Sequence, residues 1–167
     1  DPKKAFKILK PLAEKGNSYA QNKFARMYEL GFFKDIGNKS TDDIHEAVKW
    51  YELAAEQGNS ESLYNLGNLF YIGKKKPMLH INYVRAAGYF RRAAETEDKI
   101  SMYVLGKMYH EGTGVIQDYV QAHMWLNISN SKGHKQAIKL RDIIEKKMTK
   151  DQIAEAQELA RNWKPKK

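Results

Sequence analysis

Apolar and small residues recur along this chain at offsets of four, five and eight, and each run closes on a glycine. Three segments share the pattern without gaps: AQNKFARMYELG (Ala20–Gly31), SLYNLGNLFYIG (Ser62–Gly73) and SMYVLGKMYHEG (Ser101–Gly112). In order, the matched positions are Ala20, Phe24, Ala25, Tyr28, Gly31; then Ser62, Leu66, Gly67, Phe70, Gly73; then Ser101, Leu105, Gly106, Tyr109, Gly112. These offsets fall on one face at 3.6 residues per turn, so each segment predicts a helix with a single buried stripe. The closing glycine stands where a left-handed residue ends a helix.

A second helix is predicted after each first one. EAVKWYELAAEQG (Glu46–Gly58), RAAGYFRRAAETE (Arg85–Glu97) and QAHMWLNISNSKG (Gln121–Gly133) share a small, an aromatic and another small residue on one face. These are Ala47, Trp50, Ala54; Ala86, Tyr89, Ala93; and Ala122, Trp125, Ser129. The small positions allow close helix approach, and the aromatic fills the space between. The opening KAFKILKPLAEKG repeats the frame with Ala5, Ile8, Leu12 and Gly16. From the first-helix glycine to the next small residue the distance shrinks from 16 (Gly31 to Ala47) to 13 (Gly73 to Ala86) to 10 (Gly112 to Ala122). Length variation confined to one loop per period is the mark of stacked repeats.

The layout is therefore one domain over 1–167. It holds a lone second helix at 4–16, helix pairs at 18–58, 60–97 and 99–133, and a helical cap at 134–163. In the cap, Thr149 and Gln152 have the spacing of a capping box. The helix they open would lay Ile153, Ala156, Leu159, Ala160 and Trp163 over the end of the stack.

The order Ala-x3-Leu-Gly-x2-Tyr-x2-Gly-x-Gly-Val-x2-Asp-x3-Ala-x2-Trp resembles the Sel-1-like repeat, a relative of the tetratricopeptide repeat. The unit at 99–133 fits best, with Gly112, Gly114, Val115, Asp118, Ala122 and Trp125 in place and Ser101 for the first alanine. The other two pairs have longer loops where the Gly-x-Gly-Val turn would be. The resemblance implies an all-α fold, a right-handed α-solenoid of stacked antiparallel helix pairs, that binds other proteins and carries no catalytic residues. It also implies an exported, periplasmic or secreted, location, since many bacterial members are exported; a cytoplasmic one stays open. Cysteine-rich members are linked to β-lactam binding, but this chain has none of their cysteine pairs.

Composition narrows the chemistry further. There is no cysteine, which excludes disulfides, thiolate metal sites and a cysteine nucleophile. The 29 basic and 20 acidic residues give a net charge of +9, spread along the chain except at Lys74–Lys76 and the terminal KPKK. A scattered excess reads as a solubilising surface before it reads as a nucleic-acid or anionic-surface site. The five histidines have no pairing at metal-ligand spacing, so neither metal nor cofactor is expected. His123 beside Trp125 reads as half-buried structure. Gly112-Thr113-Gly114 lacks the Gly-Lys-Ser/Thr of a phosphate loop, and no serine lies in a nucleophile elbow. Asp118 reads as a helix cap. Asn38-Lys39-Ser40 and Asn127-Ile128-Ser129 match the weak glycosylation pattern, the second inside a helix.

The candidate site is the face of the first helices that the stripe leaves open. It carries Asn22, Arg26 and Glu29; Tyr64, Asn68 and Tyr71; and Tyr103, Lys107 and His110. By analogy with tetratricopeptide proteins these positions would line a concave groove. Its tyrosines suit protein contact, and Arg26 and Lys107 suit an acidic partner or a free C-terminal carboxylate. Nucleic acid and a β-lactam-binding hydrolase stand as the alternatives.

Overall fold

A computed structural model describes residues 1–32, 43–75 and 78–166. The described helices are α1 (Pro2–Glu14), α2 (Ser18–Glu29), α3 (Asp43–Glu56), α4 (Ser60–Ile72), α5 (Tyr83–Glu95), α6 (Lys99–Glu111), α7 (Tyr119–Ser131), α8 (Gln136–Glu145) and α9 (Lys150–Asn162). A two-residue antiparallel ladder, β1 (Lys74–Lys75) with β2 (Met78–Leu79), follows α4. The fold is all-α. The Asn38 glycosylation pattern, Lys76 and Lys167 lie outside the described residues. Two compact units make up the chain, Asp1–Asn82 and Tyr83–Lys167.

In the first unit, α1 packs on α2, α2 on α3 and α3 on α4. Helix α1 begins two residues before the predicted Lys4, because the Asp1 carboxylate accepts from the Lys3 and Lys4 amides and Pro2 fits the first turn. Ala13, Ala20, Phe24 and Met27 form a core, with Phe6, Tyr28 and Trp50 against it. Phe24 is its hub: the Tyr28 ring meets it edge-on at 5.4 Å and Trp50 at 5.1 Å. Such pairs add about 0.5–1.5 kcal/mol beyond burial. Ala47, Ala54 and Leu66 are fully buried as their spacing requires, but the frame fails in α1: Ile8 and Leu12 are exposed, and Phe6, Leu9 and Ala13 face the core instead.

In the second unit, α6 packs on α5 and α7, and α7 also carries α8 and α9. Met102, Leu105, Met124, Trp125 and Ile128 form its main core. Gly106 lies against α7, where a Cβ would fall 2.8 Å from Leu126 Cγ and 3.1 Å from the Ala122 carbonyl. Gly112 ends α6 in the left-handed conformation, φ 70°. Asp118 starts α7 by accepting from the Gln121 amide at 2.9 Å. Thr149 and Gln152 form the capping box of α9. That helix rests on α7, and Trp163 meets Trp125 edge-on with ring centres 5.9 Å apart.

The turns that lead into α2, α4, α6 and α8 share one backbone device. Gly16, Gly58, Glu97 and Gly133 each take positive φ, between 69° and 88°. Three are glycine, which adopts that region freely; Glu97 is not.

Candidate functional site

On α2 the expected face divides. Arg26 is exposed, and its guanidinium donates to Glu29 at 2.7 Å. The same Glu29 oxygen accepts from the Tyr51 hydroxyl at 2.8 Å. Tyr51 is fully buried, and burial followed by the Glu29 charge pushes its phenol far above the ordinary range. It therefore holds Glu29 as a neutral donor.

Asn22 is not on an open face. It is completely buried, its side-chain oxygen accepting from the Ser62 hydroxyl at 2.7 Å and its amide donating to Glu61 at 3.2 Å. Two residues beyond Ala20, Asn22 points to where α4 arrives, and Ser62 is small enough to admit an amide. On α4 itself, Tyr64, Asn68 and Tyr71 share a face and are each half-buried.

On α6 the three expected residues have different fates. Tyr103 stacks on the His134 ring at 4.6 Å and packs against the cluster of Ala122, Leu126, Ala137 and Ile144. It is used within the unit, because α8 takes the place of a further first helix and covers it. Lys107 stays partly open, 3.7 Å from the Glu111 carboxylate one turn on. The His110 ring lies 5.7 Å from that of Tyr119. Burial, then the Lys147 charge, holds the His110 pKa below its ordinary value, against a smaller opposing pull from Glu111.

Sequence reasoning missed Tyr119 and Lys147, which complete this patch; the Lys147 ammonium sits 5.7 Å from the Tyr119 ring centre. Tyr119 follows the cap Asp118 at the start of a second helix, and Lys147 follows α8. Neither position belongs to the first-helix frame, so periodicity gave no signal for them. His123, expected half-buried, is fully buried, with Nε2 2.8 Å from Glu145 Oε1. Among the described residues no cluster of three or more His, Asp or Glu side chains could hold a metal ion, and no helix is long and apolar enough to cross a membrane.

Recurring helix pairs with a small-residue contact stripe and glycine hinges define a repeat protein of the tetratricopeptide-like, α-solenoid class. The Sel1 repeat model matches residues 1–17, 18–59, 60–96 and 99–134, and the chain belongs to the Sel1-repeat family. Sel1 repeats generally mediate protein–protein interaction, and proteins built from them are generally non-catalytic scaffolds.

The chain is 36% identical over 114 residues to the ERAD-associated E3 ubiquitin-protein ligase component HRD3B of Arabidopsis thaliana, a match over 68% of this chain and 16% of that protein. It is 32% identical over 106 residues to the sel1-like repeat-containing protein L21 of Acanthamoeba polyphaga mimivirus, over 64% of this chain and 17% of the relative. It thus spans about one-sixth of the length of either curated relative. Among solved structures, a Sel1 repeat protein from Oxalobacter formigenes superposes with a TM-score of 0.67 at 27% identity, covering 80% of this chain and 94% of that one. The protective antigen c5321 of uropathogenic Escherichia coli gives 0.65 at 27% identity, covering 96% and 40%.

Proposed function

We propose that this chain is a non-enzymatic scaffold that receives an acidic protein or peptide segment on the open faces of its first helices. The observation that carries the reading is the patch on the second unit: the Tyr119 ring beside His110 and under the Lys147 ammonium, with Lys107, three residues before His110 on α6, adding a second cation within reach of Glu111. The Lys147 ammonium over an aromatic pair offers an acidic segment both charge and a flat contact surface. The family's general role in protein interaction and the exposed Arg26 in the first unit support it.

The test is affinity capture followed by mass spectrometry, comparing the wild type with a Lys107→Glu, Lys147→Glu double variant whose fold is verified by circular dichroism. Loss of acidic partners from the variant is the expected result. Unchanged capture by a folded variant overturns the reading. The net charge of +9 favours one rival, a nucleic-acid binder. That rival requires retention of an unstructured oligonucleotide that disappears steeply between low and moderate salt.

A further inference from the structure

A cavity of about 390 Å³ opens in the second unit between the C-terminal halves of α7 and α9. Its size is that of a small-ligand site. Ile128, Trp163 and Pro165 give it apolar walls, and Arg161, Lys132 and Glu97 bring charge to it. The segment after α9 is tied down: the Lys166 amide donates to the Glu95 carbonyl at 3.2 Å, and its ammonium meets the Glu95 carboxylate at 2.7 Å. Pro165 is thereby held in place as wall. Trp163 is held from behind by Trp125.

The charges are not balanced. Lys132 is paired with Glu97, whereas Arg161 is exposed and makes no ion pair among the described residues. One guanidinium is left without a counter-charge beside an indole and a proline. Glu97 adds a second peculiarity, since it is the positive-φ residue among those described that is not glycine. Its counterparts Gly16, Gly58 and Gly133 occupy the same turn without that strain. A backbone cost retained at a residue lining a cavity points to a use for its side chain.

We propose that this cavity binds a single carboxylate joined to an aromatic or large apolar group. That chemistry belongs both to the free C-terminus of a peptide with an apolar last residue and to a small aromatic acid. Arg161 takes the carboxylate in its planar fork, and Trp163, Pro165 and Ile128 take the apolar part. Glu97 cancels Lys132 and leaves one uncompensated cation, which selects a monoanion; a phosphate dianion would meet the Glu97 carboxylate. The site is separate from the α6 patch and does not rest on the function proposed above.

The full chain is titrated by calorimetry with four probes: N-acetyl-phenylalanine, its amide, phenyl phosphate, and acetyl-Gly-Gly-Gly-Phe with a free carboxylate. The acid should bind about tenfold more tightly than the amide, as an unpaired charge-assisted hydrogen bond implies. It should also bind more tightly than phenyl phosphate. Arg161→Gln should erase the preference for acid over amide with an unchanged Tm, and Glu97→Gln should narrow the gap between acid and phosphate. Tighter binding of the tetrapeptide than of N-acetyl-phenylalanine identifies a peptide terminus, and equal binding identifies a small acid. Equal affinity for acid and amide, no heat with any probe, or an unchanged preference in Arg161→Gln overturns the proposal.

Discussion

The buried hydroxyl of Ser62 on α4 donates to the side-chain oxygen of Asn22 on α2 at 2.7 Å. Both residues are fully buried, so neither can turn to water if the other is lost. The bond ties two consecutive first helices through buried polar groups, beside the Lys23–Glu61 ion pair that joins the same helices.

Asn22→Ala should therefore destabilise the chain by about 1–3 kcal/mol, the cost of a stranded buried hydroxyl. Adding Ser62→Ala should recover part of that loss. The measurement is a double-mutant cycle by urea unfolding; a coupling energy near zero would show that the pair contributes nothing specific.

Gly106→Ala should cost about 1–3 kcal/mol, since the added methyl meets Leu126 Cγ and the Ala122 carbonyl. Gly114→Ala should cost more. Its φ of 70° disfavours a side chain, and the methyl would lie 2.2 Å from the Tyr83 carbonyl oxygen, a backbone atom that cannot rotate away. Thermal unfolding of the two variants should rank them in that order.

Glu97→Gly should raise stability by about 1 kcal/mol, because a non-glycine residue at positive φ carries strain of roughly that size. The lost pairing with Lys132, which is solvent-exposed, offsets little of the gain. A lower Tm in Glu97→Gly would contradict this account.

His110 gives the stability a pH dependence of known sign. Its folded pKa lies below the unfolded value, so the unfolded chain binds more protons in the interval between them. Its contribution is full above about pH 6.5 and is lost as the pH falls through the folded pKa. Unfolding free energies of wild type and His110→Gln, compared across this range, should converge toward acid. Parallel curves would show that the ring titrates as it does in the unfolded chain.

The helix pairs were legible because their signal is local and repeated. Ala47, Ala86 and Ala122 occur at one phase, and all three are fully buried. The hinges were legible for the same reason, down to the left-handed Gly112 and the cap Asp118. The surface was read less well. A helical wheel separates the stripe at Phe24 and Ala25 from the rest of α2, but it cannot show that α4 reaches Asn22 from the side. It also cannot show that α8 lies over Tyr103, since that contact depends on where a following helix docks. Tyr119 and Lys147 were missed because they belong to elements outside the frame that defined the candidate face.

Asn17, Asn59 and Asp98 start α2, α4 and α6, each accepting a hydrogen bond from the amide three residues on at 2.6–2.9 Å. Each first helix thus carries its own starting instruction, written within four residues and independent of the rest of the chain. Folding in such a chain needs no single nucleus. It can begin at any of these points and spread to the neighbouring helix through short loops, at little entropic cost. Removing one cap should then leave the others able to initiate, so the folding rate falls only modestly while the route shifts toward the helices that keep theirs.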